Sequence, residues 1–261
     1  MSCETDFLGV NMDESWLAQY PEFERDHFWW RVRRDLVEQE VEAHSRGRVL
    51  RVLDIGCGSG ETIYRLSKRH DVLGIEHDPR AVADSRIATN ITVAAVESMQ
   101  FDSGSFDVVL MLDVLEHLDD PIKVLCIVRG WIDPGGILIV TVPAHGWLWT
   151  RFDEVNDHRT RYRRPELASE LSSSGWNPTL VRYLFAALLI PKVMQLLFER
   201  LRLSSDASRP VMPRAWVNRA AHFVLRAESA VALGPVGRWW VGTSLIGIAR
   251  PTEPNTRSLG S

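Results

Sequence analysis

Three observations predict an open, doubly wound α/β sheet. Short aliphatic runs alternate with helical segments of about ten residues, the pattern of βαβ units and a parallel sheet. The first run, Val49–Ile55, reads as a strand buried on both faces. A glycine cluster, "GCGSG" (56–60), follows it at once and opens a helical segment.

The elements then follow in order. Residues 12–44 read as helical, with Trp16, Phe23, Trp30, Leu36 and Val41 among the apolar positions, and Pro21 dividing them into two pieces. Helix 61–69, strand 71–76, helix 79–87 and strand 91–96 come next, then strand 106–112, helix 120–130 and strand 136–142. The "DPGG" at 133–136 reads as a turn leading into that fifth strand. A helix at 165–174 and strands near 177–183 and 244–250 complete the set, with a helical insertion over roughly 185–232. In such a sheet the ligand lies beyond the carboxyl ends of the strands. That edge carries Gly56–Gly60, Glu76, Glu97, Asp113 and Pro143–Thr150.

Composition excludes less than it allows. The chain of 261 residues is 45% apolar and 25% charged, ordinary for a globular domain long enough to bury a full core. A net charge of −4 gives no general argument for nucleic acid. The segment Arg182–Arg238, however, carries a local charge of +6, so the remainder carries −10. Cys3, Cys57 and Cys126 are scattered and odd in number, which argues against a disulfide framework or a zinc site and for a reducing compartment; no metal is expected. The acidic N-terminus lacks a signal-peptide core. The apolar stretch 183–198 is interrupted by Pro191 and Lys192 and is too short to span a bilayer. The expected location is the cytoplasm, either free or peripheral to the inner face of the membrane.

The glycine loop points to a nucleotide or nucleoside, because glycines let backbone N–H groups approach a ligand closely. A dinucleotide loop reads G-x-G-x-x-G, whereas here Gly56, Gly58 and Gly60 are followed by Glu61. Asp54 ends the first strand, where a carboxylate accepts from loop amides or from a ligand ammonium. Glu76 ends the second strand, where an acid accepts both hydroxyls of a ribose.

The stretches "VLDIGCGSG", "LGIEHDP", "FDSGSFDVVLMLDVLEHLDDP" and "WIDPGGILIVTVP" resemble the successive motifs of class I S-adenosylmethionine-dependent methyltransferases, of the bacterial UbiE-like type, over about residues 48–145. The resemblance implies a Rossmann-like seven-stranded sheet whose last strand is antiparallel. It implies that Asp54, Gly56, Cys57, Gly58 and Gly60 hold the methionine part of S-adenosylmethionine, that Glu76 takes the ribose and that His77 borders the adenine. Asp113 then lies close to the sulfonium. The family often has an acidic residue where this chain has Ala95, and Glu97 or backbone near Val96 is the expected substitute.

Methyl transfer needs alignment and, for a weak nucleophile, a base. The segment "VPAHGWLWTRFDEVNDHRTRYRRPELASEL" (142–171) starts at the ligand edge and supplies the acceptor-side candidates. His158 and His145 are the candidate bases. Trp147 and Trp149 either wall an apolar pocket or pack under the loop. The arginines at 159, 161, 163 and 164 suit an anion, or else begin a helix at Pro165. The arrangement resembles a bacterial subgroup in which Arg161 and Tyr162 belong, with His158, to a shared acceptor-side motif. "FERDHFWWRVRRDL" caps the cleft or packs on the sheet. The insertion is an interfacial element admitting a lipid-linked acceptor, or a lid or dimer face.

The organisation expected is an N-terminal helical cap (1–46), a core (47–183 and 242–251), the insertion (184–241) and a disordered tail (252–261). The function expected is O-methylation of a small-molecule, sugar or lipid-linked acceptor. N- or C-methylation, a non-catalytic S-adenosylmethionine-binding partner and a nicotinamide-dependent oxidoreductase are the rivals. Glu61, where a dinucleotide glycine would fall, opposes the last. An "NPPY"-type motif is absent after the fourth strand, so nucleic acid is not an expected partner.

Overall fold

A computed structural model describes residues 19–201, 211–234 and 241–252. Trp16, Cys3, Arg202, Arg209 and the tail expected to be disordered lie outside the described residues. The strands are β1 (Arg51–Ile55), β2 (Asp71–Glu76), β3 (Ile91–Val93), β4 (Phe106–Leu112), β5 (Ile132–Pro143), β6 (Trp176–Leu184) and β7 (Ser244–Pro251). They form one seven-stranded sheet in the order β3-β2-β1-β4-β5-β7-β6. β7 runs antiparallel to both β5 and β6, and the other pairs are parallel. The order reverses between β1 and β4, which places a crevice at their carboxyl ends. Val108, Val109, Leu110 and Met111 on β4 and Leu138, Ile139 and Val140 on β5 are fully buried, as a sheet covered on both faces requires.

The helices are α1 (Tyr20–Asp26), α2 (Phe28–Ser45), α3 (Glu61–Leu66), α4 (Pro79–Val82), α5 (Pro121–Trp131), α6 (Arg151–Val155), α7 (Arg164–Ser173), α8 (Leu189–Arg200) and α9 (Ala215–Leu233). Three local expectations are corrected. Pro21 sits in the first turn of α1, where its missing N–H costs nothing, and the break between helices falls instead at His27. His27 is extended and its ring accepts from Trp29 N at 3.2 Å, so it caps α2. The helix expected at 79–87 ends at Val82, since the Ser85 hydroxyl bonds the Ser59 carbonyl and accepts from Ile87 N, turning the chain away from helix. "DPGG" does not precede β5 but lies within it, at an irregularity between the Phe106 and Val108 pairings.

The N-terminal helices and the insertion are held to each other. α9 packs along α2: Asn218 accepts from Phe28 N at 2.7 Å and donates to Asp26 O at 2.7 Å. His222 Nε2 lies 3.1 Å from Asp35 of the same helix. Glu228 of α9 accepts from the amides of Ala186 and Ala187, fixing the entry to α8. α2 and α9 thereby pack together on one face of the sheet through Val32, Leu36, Leu225 and Ala232, while α1, the start of α2 and α8 reach its carboxyl edge.

Candidate active site

Two connected cavities lie at that edge, of about 540 Å³ and about 240 Å³. Tyr20, Gly56, Asp113, His117 and Asn156 line both. Their size suits a small ligand and its reaction partner.

The smaller cavity is built by β1, β2 and the loops after them. Gly56 has φ +68°, and a Cβ there would meet Val114 Cγ2 at 2.6 Å, so the turn has room only for glycine. Gly58 N donates to Glu76 Oε2 at 2.8 Å, while Asp78 N donates to Oε1 at 3.0 Å. His77 Nδ1 lies 2.9 Å from the same Oε1. Burial works against ionisation of Glu76, yet these donors hold its carboxyl below the ordinary value. His77, Ala95 and Glu97 line the same cavity. Gly60 lines neither cavity; it caps α3 and packs against Ile87 and Ile91.

Asp54 and Cys57 face the larger cavity. Asp54 is 2% exposed and its Oδ1 has no hydrogen-bond partner, so burial raises its carboxyl from 3.8 to about 8. Burial also raises the Cys57 thiol far above its usual range, which makes it an inert lining group. Asp113 follows β4 with φ +57° and forms an ion pair with Arg33 of α2. Glu24 of α1 bonds both the amide and the hydroxyl of Ser59 in the glycine loop, and burial raises its carboxyl to about 7. Glu24 and Arg33 were not singled out in the sequence. Their signal was the charge inside an otherwise aromatic segment, "FERDHFWWRVRR".

The acceptor-side candidates divide. His158 lines the larger cavity, with Nδ1 2.8 Å from Asp153 Oδ1. Arg161 also lines it, and donates to Asp153 Oδ1 at 2.7 Å and to the Ala144 carbonyl at 3.0 Å. Burial opposes ionisation of Asp153, but His158 and Arg161 keep its carboxyl well below the ordinary range. His145, Trp147, Trp149 and Tyr162 line neither cavity. His145 is stacked on Tyr183 with ring centroids 4.8 Å apart. Trp147 is 48% exposed and Trp149 half-buried. Tyr162 is buried and donates to Glu170 Oε1 at 3.1 Å, a packing role for which aromatic sequence carries no separate signal.

Four residues that the sequence reading left without a role complete the larger cavity. Glu116 and His117 follow β4 in the turn Leu115–His117. Burial and the nearby Asp113 charge hold the Glu116 carboxyl well above its ordinary value, and burial lowers His117 to about 4. Phe152 lies on the wall, and Lys192 of α8 donates to Thr150 Oγ1 at 2.9 Å while burial lowers its amine to about 8.

Residues 53–140 match the model of a methyltransferase domain. That stretch, from β1 to β5, is a methyltransferase domain, and it holds the motifs that resemble the class I S-adenosylmethionine-dependent enzymes. A ubiquinone biosynthesis O-methyltransferase of Cereibacter sphaeroides is 30% identical over 49% of this chain and 58% of its own length, so the match spans little more than half of that relative. Among solved structures, a putative methyltransferase in complex with the Haloferax volcanii Trm112 activator shares the fold. It has a TM-score of 0.59 at 18% identity and covers 94% of this chain and 98% of that one. The Burkholderia thailandensis 1,6-didemethyltoxoflavin-N1-methyltransferase, bound to S-adenosylhomocysteine, has a TM-score of 0.56 at 14% identity, over 97% and 92% of the two chains.

The residues that line the two cavities fit S-adenosylmethionine. Asp54 offers a buried, unpartnered oxygen suited to an ammonium, the left-handed Gly56 turn lines both cavities with bare backbone, and Glu76 presents a fixed carboxylate to the smaller cavity.

Proposed function

We propose that the protein is an S-adenosylmethionine-dependent O-methyltransferase acting on a hydroxylated, largely apolar acceptor. The observation that carries the reading is the junction of the two cavities at Asp113, with a polar acid–histidine group on the far side of it. In this reading Asp54 and the Gly56–Gly58 backbone hold the methionine part of the cofactor, Glu76 the ribose, and His77 and Glu97 border the adenine. When bound, S-adenosylmethionine supplies an electrophilic methyl group on a sulfonium sulfur.

The protein's own part is alignment, exclusion of water and management of the acceptor's proton. Tyr20, Phe28, Trp29 and Trp30 from the N-terminal helices wall the larger cavity and keep it dry. His158 is the candidate base. With Nδ1 donating to Asp153, its Nε2 carries the lone pair that takes a hydroxyl proton. Arg161, fully engaged with Asp153 and Ala144, is a positioning residue.

An apolar acceptor tail is supported by α8. Its inner face puts Pro191, Lys192 and Gln195 on the cavity, while Ile190, Met194, Leu197, Phe198 and Leu201 form an exposed outer stripe at helical spacing. Arg200, Arg214, Arg219 and Arg226 are exposed on the same insertion. No described helix is long and apolar enough to cross a membrane. A stripe flanked by arginines suits the surface of an anionic bilayer, from which a lipid-linked acceptor enters beside Leu188 and Pro191. The name of the Cereibacter relative agrees with such an acceptor. The test is product analysis with label-bearing S-adenosylmethionine and a catechol carrying a prenyl tail. A labelled aryl methyl ether is expected; no transfer by protein that binds the cofactor overturns the reading.

A further inference from the structure

Glu116 is fully buried, and neither of its carboxylate oxygens has a hydrogen-bond partner among the described residues. His117 Nδ1 is also buried and unpartnered. The His158 ring meets His117 edge-on, with centroids 4.8 Å apart. One donor atom from each of Glu116, His117 and His158 lies within 4.8 Å of the other two. All three face the larger cavity.

From this juxtaposition we infer that Glu116, His117 and His158 form a binding site for a divalent transition-metal ion at the acceptor side of the cleft. An unpaired buried carboxylate costs folding free energy unless something compensates it, and a cation does so directly. His158 is also held in place for ligation. His158 Nδ1 is held by Asp153 at 2.8 Å, the carboxylate–histidine arrangement that fixes the tautomer and orients Nε2 as a ligand.

The two segments that supply the ligands are tied together. Arg159 N donates to Glu116 O at 2.7 Å and its Nε to His117 O at 2.9 Å. Metal–ligand bonds of about 2.1 Å bring tetrahedral donors to about 3.4 Å from each other, so side-chain adjustment of about 1 Å closes the site. Two imidazoles and one carboxylate with open positions are a donor set that takes zinc, manganese or iron(II). Cysteine spacing gave no hint of this, because none of the ligands is a cysteine.

The open positions face the acceptor cavity, so an acceptor hydroxyl coordinates there and its proton affinity falls. With the ion bound, His158 would serve as a ligand in place of acting as base. That role rests on the methyltransferase reading, whereas ion binding does not.

The test is calorimetric titration of the chelator-treated full chain with Zn²⁺ and Mn²⁺, and optical titration with Co²⁺. One ion per chain at micromolar affinity or tighter is expected, with Co²⁺ bands of low-coordinate nitrogen–oxygen ligation. Glu116→Gln and His158→Ala each weaken binding at least tenfold, while S-adenosylmethionine affinity of Glu116→Gln stays within twofold of wild type and certifies its fold. Absence of uptake, or uptake indifferent to both substitutions, overturns the site and leaves His158 as base. Ion binding without S-adenosylmethionine binding supports the site and overturns the functional reading instead.

Discussion

Asp153 Oδ1 lies 2.8 Å from His158 Nδ1, and the two are joined by a carboxylate that is completely buried. The same oxygen accepts from Arg161 Nε, and Oδ2 accepts from the amide and hydroxyl of Thr150. One side chain therefore caps α6, orients His158 and neutralises a buried guanidinium. Removing it leaves Arg161 desolvated and unpaired, so Asp153→Ala should destabilise the fold by about 3–5 kcal/mol. Urea unfolding measures this, and Arg161→Met in the Asp153→Ala background should recover part of the loss.

Cofactor binding should release protons near neutral pH. Asp54 is held near 8 by burial in the cofactor-free protein, so it is mostly protonated at pH 7. An ammonium placed against it favours the carboxylate and expels that proton. Calorimetry of S-adenosylmethionine binding in buffers of different ionisation enthalpy should report close to one proton released per ligand at pH 7, and far less for Asp54→Asn. Affinity should rise as pH climbs toward 8.

His27 predicts an acid-sensitive stability. Burial lowers its imidazole from 6.5 to about 4, so the unfolded chain binds a proton that the folded chain refuses. Its contribution is intact above pH 6.5, declines as pH falls and is lost below pH 4. The full shift corresponds to about 3 kcal/mol. His27→Asn keeps a side chain that caps α2 and does not titrate. Wild type should lose about 3 kcal/mol more than this variant between pH 7 and pH 4.

The sheet was legible because its strands are unambiguous. Phe106–Leu112 is apolar apart from Asp107 and becomes β4 with unchanged ends. The glycine loop, Glu76 and Asp113 were legible because each closes such a strand at the ligand edge. What escaped depended on distant partners. The α1–α2 break at His27 is hidden in an aromatic run, and its cause is a ring accepting from Trp29 N. Glu116 and His117 stood in plain view after β4, but their meaning comes from His158, which the chain brings back only through the loop after β5. Tyr162 beside Arg161 looked like one motif, yet alternation turned one into the cavity and the other into the core against Glu170.

The outer stripe of α8 should govern attachment to lipid. Replacing Met194, Leu197 and Phe198 together by Gln removes the exposed apolar surface without touching the cavity face. Co-sedimentation with vesicles containing anionic lipid should fall at least tenfold, with S-adenosylmethionine affinity retained. Unchanged sedimentation would contradict a membrane-facing role.

The most direct measurement of the whole account is calorimetric titration of wild type and Glu76→Ala with S-adenosylmethionine, S-adenosylhomocysteine and NADH. Glu76 fixes the Gly58 and Asp78 amides around the smaller cavity, so it should dominate nucleoside affinity. Both adenosyl ligands should bind at micromolar affinity, with a loss of at least tenfold in Glu76→Ala, and NADH should not bind. Binding of NADH alone, or adenosyl binding indifferent to Glu76→Ala, would contradict it.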